Sequence, residues 1–401
     1  MAEDTREALS ASETGNTDQR TPRTETIKTV LRSEVAVAIG VITTALFYVF
    51  SDALLSDLLP DLWSIVLFVW LFSTILWCAF DVVHHADCLA ELLGEPYGTL
   101  ILTFAVISIE VSMISSVMLR GYNEPTLARD TMFAVLMIIL NGMVGLALLV
   151  GAMRHHEQHY NLQGAKAFLA VIIPLAVLTL VLPRFTISSP PAFTPVQAAF
   201  FAAMTVGLYG VFLSVQTVRH RNLFKEPRAH VAIPDPLAHD ETSHRHGHHA
   251  TRTVPFHAAL LGLTLLPAVL LAKKLAVFVD YGIETLAAPV ALGAIIIALL
   301  VLAPEGLGAL RAALANRLQR SVNILLGSAL ATIGLTVPAV LTIGLIMNRD
   351  VELGLNQVEM VLLLLTLAVN TLTFTGGRTN VLQGAVHLVL FFTFLVLIFE
   401  R

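Results

Sequence analysis

The chain has 401 residues and a net charge of −5, with 56% hydrophobic against 13% charged residues and a mean hydropathy of +0.77. That balance excludes an ordinary water-soluble domain and, lacking a basic surplus, a nucleic-acid-binding protein. It is the composition of a protein whose main partner is the lipid bilayer.

Crossing the hydrocarbon takes about 20 mostly apolar residues. Eleven stretches qualify, at 33–52, 62–83, 97–119, 130–152, 165–183, 195–216, 254–278, 286–310, 321–347, 357–375 and 381–400. The sequence therefore predicts an all-α polytopic membrane protein with about eleven transmembrane helices. Residues 1–32 mix acids, bases and small polar residues without a cleavage signal, and read as a disordered cytoplasmic tail. Residues 33–61 hold one extra helix and its loop, 62–218 a first set of five helices, 219–253 a polar loop rich in histidine, and 254–401 a second set of five. Cys78 and Cys88 make neither a disulfide framework nor a metal-ligand spacing. Assigning loops alternately to two sides puts 17 of the 24 Lys and Arg on the side of the N-terminus. The N-terminus is thus expected in the cytoplasm and the C-terminus outside.

Ionised groups inside a membrane cost roughly 2.5–3.5 kcal/mol each, so every acid there is a candidate for function. Glu110 is the only charge in "YGTLILTFAVISIEVSMISSVML", and Glu305 the only one between Thr285 and Leu310. Gly98 precedes Glu110 by 12 residues and Gly293 precedes Glu305 by 12, so "GTLILTFAVISIEV" and "GAIIIALLVLAPEG" read as two copies of one element. A five-helix unit repeated once enters the membrane from opposite sides, which gives one extra N-terminal helix plus two inverted five-helix repeats. A pseudo-two-fold axis in the membrane plane then brings both glutamates to the midplane, as in many secondary transporters. The competing reading is that each acid makes a protonated helix-packing hydrogen bond. "LQGA" recurs at 162–165 and 382–385, but its offset of 220 differs from the 195 between the glutamates, and it is set aside as coincidence.

Pro304 removes an amide hydrogen beside Glu305 and predicts a broken helix with freed carbonyls, while Gly306 and Gly308 predict close approach of a neighbour. Asn141, Ser328 and Thr332 follow the two glutamate helices and are the candidate polar partners, although such residues also bond across helix interfaces. Carboxylate, hydroxyl and carbonyl oxygens without soft ligands suit a hard cation such as Ca²⁺.

At these residues a resemblance enters. "GEPYGTLILTFAVISIEV", "LAPEGLGALRAALANRLQRSVNILLGSALATIGLTVPAV" and "GGRTNVLQGAVHLVLF" resemble the ChaA-like bacterial branch of the calcium/proton exchangers, within the calcium/cation antiporter superfamily. The resemblance covers the chain from about residue 35 onward, apart from the middle loop. It implies the inverted-repeat fold and a multi-pass position in the bacterial inner membrane, and no cofactor. It also implies paired glutamates, here Glu110 and Glu305, that bind the exchanged cation, and it places Ser328 in the "GS" that opens the coordinating part of the ninth helix. The small-polar pair that usually precedes each acid is absent. Ala331 stands where a glutamine is common, Gln383 where an acid is common, and Gly376 where an aspartate is common. Fewer side-chain oxygens leave Na⁺ or K⁺ open beside Ca²⁺.

The coupling follows from chemistry alone. Two emptied carboxylates at the midplane suffer desolvation and mutual repulsion, both of which favour protonation, whereas a bound cation holds them ionised. Proton and cation compete for one site, which is the requirement for antiport and not for an enzyme. A passive cation channel shares the acids without needing the proton. A haem or metal oxidoreductase would use the pairs His84/His85 and His155/His156, which the sequence places at segment ends where facing axial ligands are not expected.

The remaining charged features have two readings each. "FDVVHHADCLAELLGEP", 80–96, carries Asp81, Asp87, Glu91 and Glu95 without Lys or Arg, and could concentrate cations on the approach to Glu110 or form an amphipathic interface helix. His239, His244, His246, His248 and His249 could sense pH or bind a transition metal, or lie in a merely solvated loop. "RHHEQHYN", 154–161, fits no zinc spacing, and Lys273 and Lys274 read as snorkelling to the outer interface.

Overall fold

The computed structural model describes residues 35–51, 54, 62–93, 97–118, 126–186, 193–226, 253–285, 289–347 and 351–399. These form eleven helices in chain order. Helix α1 is Val35–Val49, α2 Leu62–Leu93 and α3 Tyr97–Met118. Helix α4 runs Leu127–Met137, a π turn Ile138–Met143 and Val144–His155. Helix α5 runs Leu162–Ala176 and continues through π and 3₁₀ turns to Phe185, and α6 runs Pro195–Ser214 with a π turn to Arg219. Helix α7 is Val254–Thr285 and α8 Val290–Leu314. Helix α9 runs Leu318–Ala331, a π turn Thr332–Thr336 and Val337–Met347. Helix α10 is Gln357–Thr373 and α11 Val381–Phe399. Among the described residues eight helical segments are long and apolar enough to cross a membrane, and Val35–Val49, Thr103–Ser112 and Gln357–Thr373 are shorter apolar stretches.

The inverted repeat is visible in element lengths and caps. Helices α2 and α7, the first of each half, both have 32 residues, about 48 Å of helix and well beyond a hydrocarbon core of about 30 Å. The 195-residue separation of Glu110 and Glu305 also separates Asn161 from Asn356 and Asn141 from Thr336. Asn161 and Asn356 cap α5 and α10, each accepting from amides of the first turn. Asn141 and Thr336 lie in the π turns of α4 and α9.

Two apolar cores divide the bundle. One joins Phe47 of α1, Leu67, Leu71 and Ile75 of α2, and Leu271 and Leu275 of α7. The other joins α4–α6 with α9–α11 around Phe168, Leu326, Ile333 and Leu363. Helices α3 and α8 stand between them. Ala105 and Ile109 of α3 and Ile297 and Val301 of α8 face the smaller core. Ile107 and Ile114 of α3 and Ala294 and Leu302 of α8 face the larger. The glutamate helices are therefore the seam between two bodies.

Three expectations are corrected. The second helix does not stop at 83 but runs to Leu93, because Val82, Ala86 and Leu89 continue a buried seam through the polar stretch. His84 and His85 consequently lie inside a helix. Pro304 does not break α8, which is continuous through it, and irregular backbone appears instead as π turns in α4, α5, α6 and α9. Gly306 does sit at a close approach, since a Cβ there would come within 2.6 Å of Met143 Cε, but beside Gly308 the nearest atom is Ile324 Cδ1 at 3.9 Å.

The approaches to the two "LQGA" segments meet in space. The residues leading into α5 and α11 pair as antiparallel strands β1, Gln158–His159, and β2, Arg378–Thr379. Gly384 of the second copy packs against the α4 backbone at Gly145 and Leu149. Lys274 does not simply snorkel either: it donates to Ser51 Oγ at 2.8 Å and lies over the Tyr48 ring, tying α7 to α1.

Candidate cation-binding site

Helix α9 ties the two glutamates together. Thr332 Oγ1 donates to Glu110 Oε2 at 3.1 Å, and one turn earlier Ser328 Oγ donates to Glu305 Oε2. Glu110 is 2% exposed, and its Oε1 accepts no hydrogen bond. Thr336, one turn beyond Thr332, turns a buried hydroxyl toward the same Glu110 carboxylate.

Both glutamates, Ser328 and Thr332 line one cavity of about 490 Å³, together with Thr103 of α3 and Tyr209 of α6. The cavity continues past His84 and Asp87 of α2, Gln216 of α6, Arg311 of α8, and Arg320 and Asn323 of α9. Those residues sit where α2, α6 and α8 end and α9 begins, at one end of the bundle. The cavity thus runs from the glutamates to one end of the bundle, between the two bodies.

The donor set is chemically narrow. Two carboxylates and the hydroxyls of Ser328 and Thr332 are hard oxygen donors, and no described group of three His, Cys, Asp or Glu residues is arranged to hold a metal ion. Such a set suits an alkali or alkaline-earth cation, or protons, rather than a transition metal.

Not every candidate joins the site. Asn141 does not line the cavity: its Nδ2 donates to Thr366 Oγ1 at 2.8 Å and its Oδ1 lies 3.3 Å from His387 Nδ1. His387 Nε2 in turn meets Thr373 Oγ1 at 2.9 Å, so this buried cluster joins α4 to α10 and α11. Asp87 lines the cavity, whereas Asp81 is turned away from it, with Oδ2 3.5 Å from His85 Nε2. Among the described residues the lining at this end is mixed in charge, because Arg311 and Arg320 share it with Asp87. Glu91 belongs to α2 but its side chain lies outside the described residues, as do Glu95 and the loop histidines His239, His244, His246, His248 and His249.

Sequence reasoning missed Thr103, Tyr209, Asn323 and Thr336. Thr336 was findable, being the residue that the 195-residue frame pairs with Asn141. The histidine pairs of the oxidoreductase alternative do not face each other: His84 lines the cavity, His85 turns to His257 and Asp81, and His155 Nε2 meets Leu314 O at 2.9 Å.

Comparison with known proteins agrees with this architecture. The family model described as sodium/calcium exchanger protein matches twice, over residues 63–218 and 256–400. The protein y4hA of Sinorhizobium fredii is 44% identical over 346 residues, 86% of this chain and 91% of that one. The sodium-potassium/proton antiporter ChaA of Escherichia coli is 41% identical over 326 residues, 81% of this chain and 86% of that one. The structure of native YfkE superposes with a TM-score of 0.66 at 16% identity, covering 92% of this chain and all of that one (100%). The H⁺/Ca²⁺ exchanger CAX gives 0.62 at 14% identity, covering 90% and 87%. Two copies of one matched unit, eleven helices and paired acids on the seam helices converge: the chain belongs to the sodium/calcium exchanger family, on its ChaA-like branch.

Proposed function

We propose that the protein exchanges an inorganic cation for protons across the bacterial inner membrane, with Glu110 and Glu305 as the shared cation and proton site. The observation that carries this reading is the pair of carboxylates from repeated elements, both tied to α9 and both lining one cavity. Loaded with a cation the carboxylates are ionised, and emptied they favour protons, because burial penalises two uncompensated charges. If only these two loaded forms pass between inward- and outward-facing states, the gradients are coupled.

Ca²⁺ is the leading cargo. It takes about 6–8 oxygens, and four carboxylate oxygens with the hydroxyls of Ser328, Thr332 and Thr336 approach that number. Two negative charges also balance one divalent cation. Na⁺ and K⁺ are the alternatives, supported by the named activity of the ChaA relative. In everted vesicles energised to an acid interior, the transported cation should dissipate the pH gradient, and testing Ca²⁺, Na⁺ and K⁺ in turn identifies the cargo. A pH gradient left intact by all three would contradict exchange, and cation flux without proton movement would make the protein a channel.

The N-terminus is assigned to the cytoplasm from the 17 of 24 Lys and Arg on its side, so the cavity opens inward. A reporter after Arg401 should read as extracytoplasmic and one near His244 as cytoplasmic; the reverse signals would overturn the orientation. Deleting 239–249 should leave maximal exchange within about twofold, since that polar sequence offers no apolar face to pack. Loss of exchange with normal membrane insertion would make the histidines part of the machinery.

A further inference from the structure

The contact between α2 and α7 contains three ionisable groups that the glutamate mechanism does not use. His85 is 1% exposed and His257 6%, and their Nδ1 atoms are 3.1 Å apart, so one ring donates a proton to the other. On the far side of the His85 ring, Asp81 Oδ2 lies 3.5 Å from Nε2, and both atoms are buried without a hydrogen bond. A carboxylate, an imidazole and a second imidazole thus stand in line, from the cavity wall α2 to its pseudo-symmetric partner α7.

Cys78, three residues before Asp81 on α2, is a further titratable group facing this line. On α2, His84 and Asp87 face the cavity, and Glu305 and Arg311 of α8 line that same cavity. Glu110 of α3 is held by Thr332. Helix α1 has no charged residue, and its Tyr48 and the Lys274 of α7 meet at the opposite end of the bundle. Among the described ion pairs, Asp81 meets His85 and no Lys or Arg.

We propose that Asp81, His85 and His257 form a proton-binding site, separate from the glutamate pair, that clamps α2 to α7 when loaded and frees α2 when empty. The proton adds to His85. The resulting imidazolium pairs through Nε2–H with Asp81 and donates through Nδ1–H to the neutral His257. Without that proton Asp81 is a nearly buried charge with no cation beside it, an arrangement that favours separation of the two helices. Since α2 forms one wall of the cavity, the clamp restrains exchange in acid and releases it in alkali.

The inference rests on the exchange reading only in taking the cavity as the transport path, and two measurements separate them. In vesicles at saturating cation, where competition at the glutamates is suppressed, His85→Gln should lower the ratio of exchange at about pH 8.5 to that at about pH 6.5 by about fivefold or more. The rate at alkaline pH should stay near that of the parent. His257→Gln should act in the same direction, and an unchanged ratio in both would overturn the proposal. In the purified parent, hydrogen exchange corrected for intrinsic rates should show residues 81–89 and 254–261 better protected at the lower pH. The same difference should persist in Glu305→Gln, which lacks the transport site but keeps the clamp. Equal protection at both pH values would overturn the clamp whatever the transport result.

Discussion

Glu305→Gln is expected to abolish exchange while leaving the protein folded in the membrane. The amide keeps the size of the side chain and can still accept from Ser328, but it carries no charge and cannot take up a proton. It also relieves the cost of placing a carboxylate in the membrane, so insertion and yield should match or exceed the parent. Glu110→Gln should have the same effect, because Thr332 holds it to the same helix. The double variant should be no worse than either single one, as for groups that act as one unit. Exchange in everted vesicles, paired with size-exclusion of the solubilised protein, checks this. Retention of more than about a tenth of parental exchange, a loss smaller than about 1.4 kcal/mol, would make the glutamate a packing residue.

Gly384→Ala is expected to damage the fold rather than the chemistry. A Cβ at this position would lie 2.8 Å from Leu149 Cα and 2.9 Å from Gly145 O, both backbone atoms of α4. No rotamer change can relieve that contact, so α4 and α11 must part along the seam that also carries Asn141, His387 and Phe391. Overpacking of this kind costs about 1–3 kcal/mol, and the thermal midpoint of the purified protein should fall accordingly. Gly207→Ala in α6 is the control: nothing lies within 4 Å of its Cβ position, and alanine favours a helix interior by about 1 kcal/mol over glycine. A midpoint for Gly384→Ala equal to that of Gly207→Ala would contradict the close packing.

The parts of this architecture that were legible in sequence are those written as spacing. Matched glycines twelve residues ahead of Glu110 and Glu305 announce the repeat, and long apolar runs announce the helices. Helix α2 was read short because His84, His85 and Asp87 interrupt the hydropathy, while Val82, Ala86 and Leu89 keep a narrow buried seam that a transmembrane average does not register. Pro304 was read as a break because a proline removes one hydrogen bond, yet α8 continues through it, and the backbone irregularity on the helices that follow α3 and α8 sits in the π turns of α4 and α9. Those turns decide which polar residue faces the cavity. Thr332 opens one and reaches Glu110, whereas Asn141, in the other, turns to Thr366 and His387. Side-chain direction also separates Asp87, on the cavity, from Asp81, which meets His85, although both belong to one acidic stretch.

The central claim is that cation and proton compete for Glu110 and Glu305, and proton release on cation binding tests it without any vesicle. In purified protein at low buffer strength and a pH where the empty site is protonated, adding the transported cation should acidify the medium in proportion to occupancy. The signal should disappear in the Glu110→Gln, Glu305→Gln double variant. Cation binding that releases no proton from the parent, or an undiminished release from the double variant, would contradict the account.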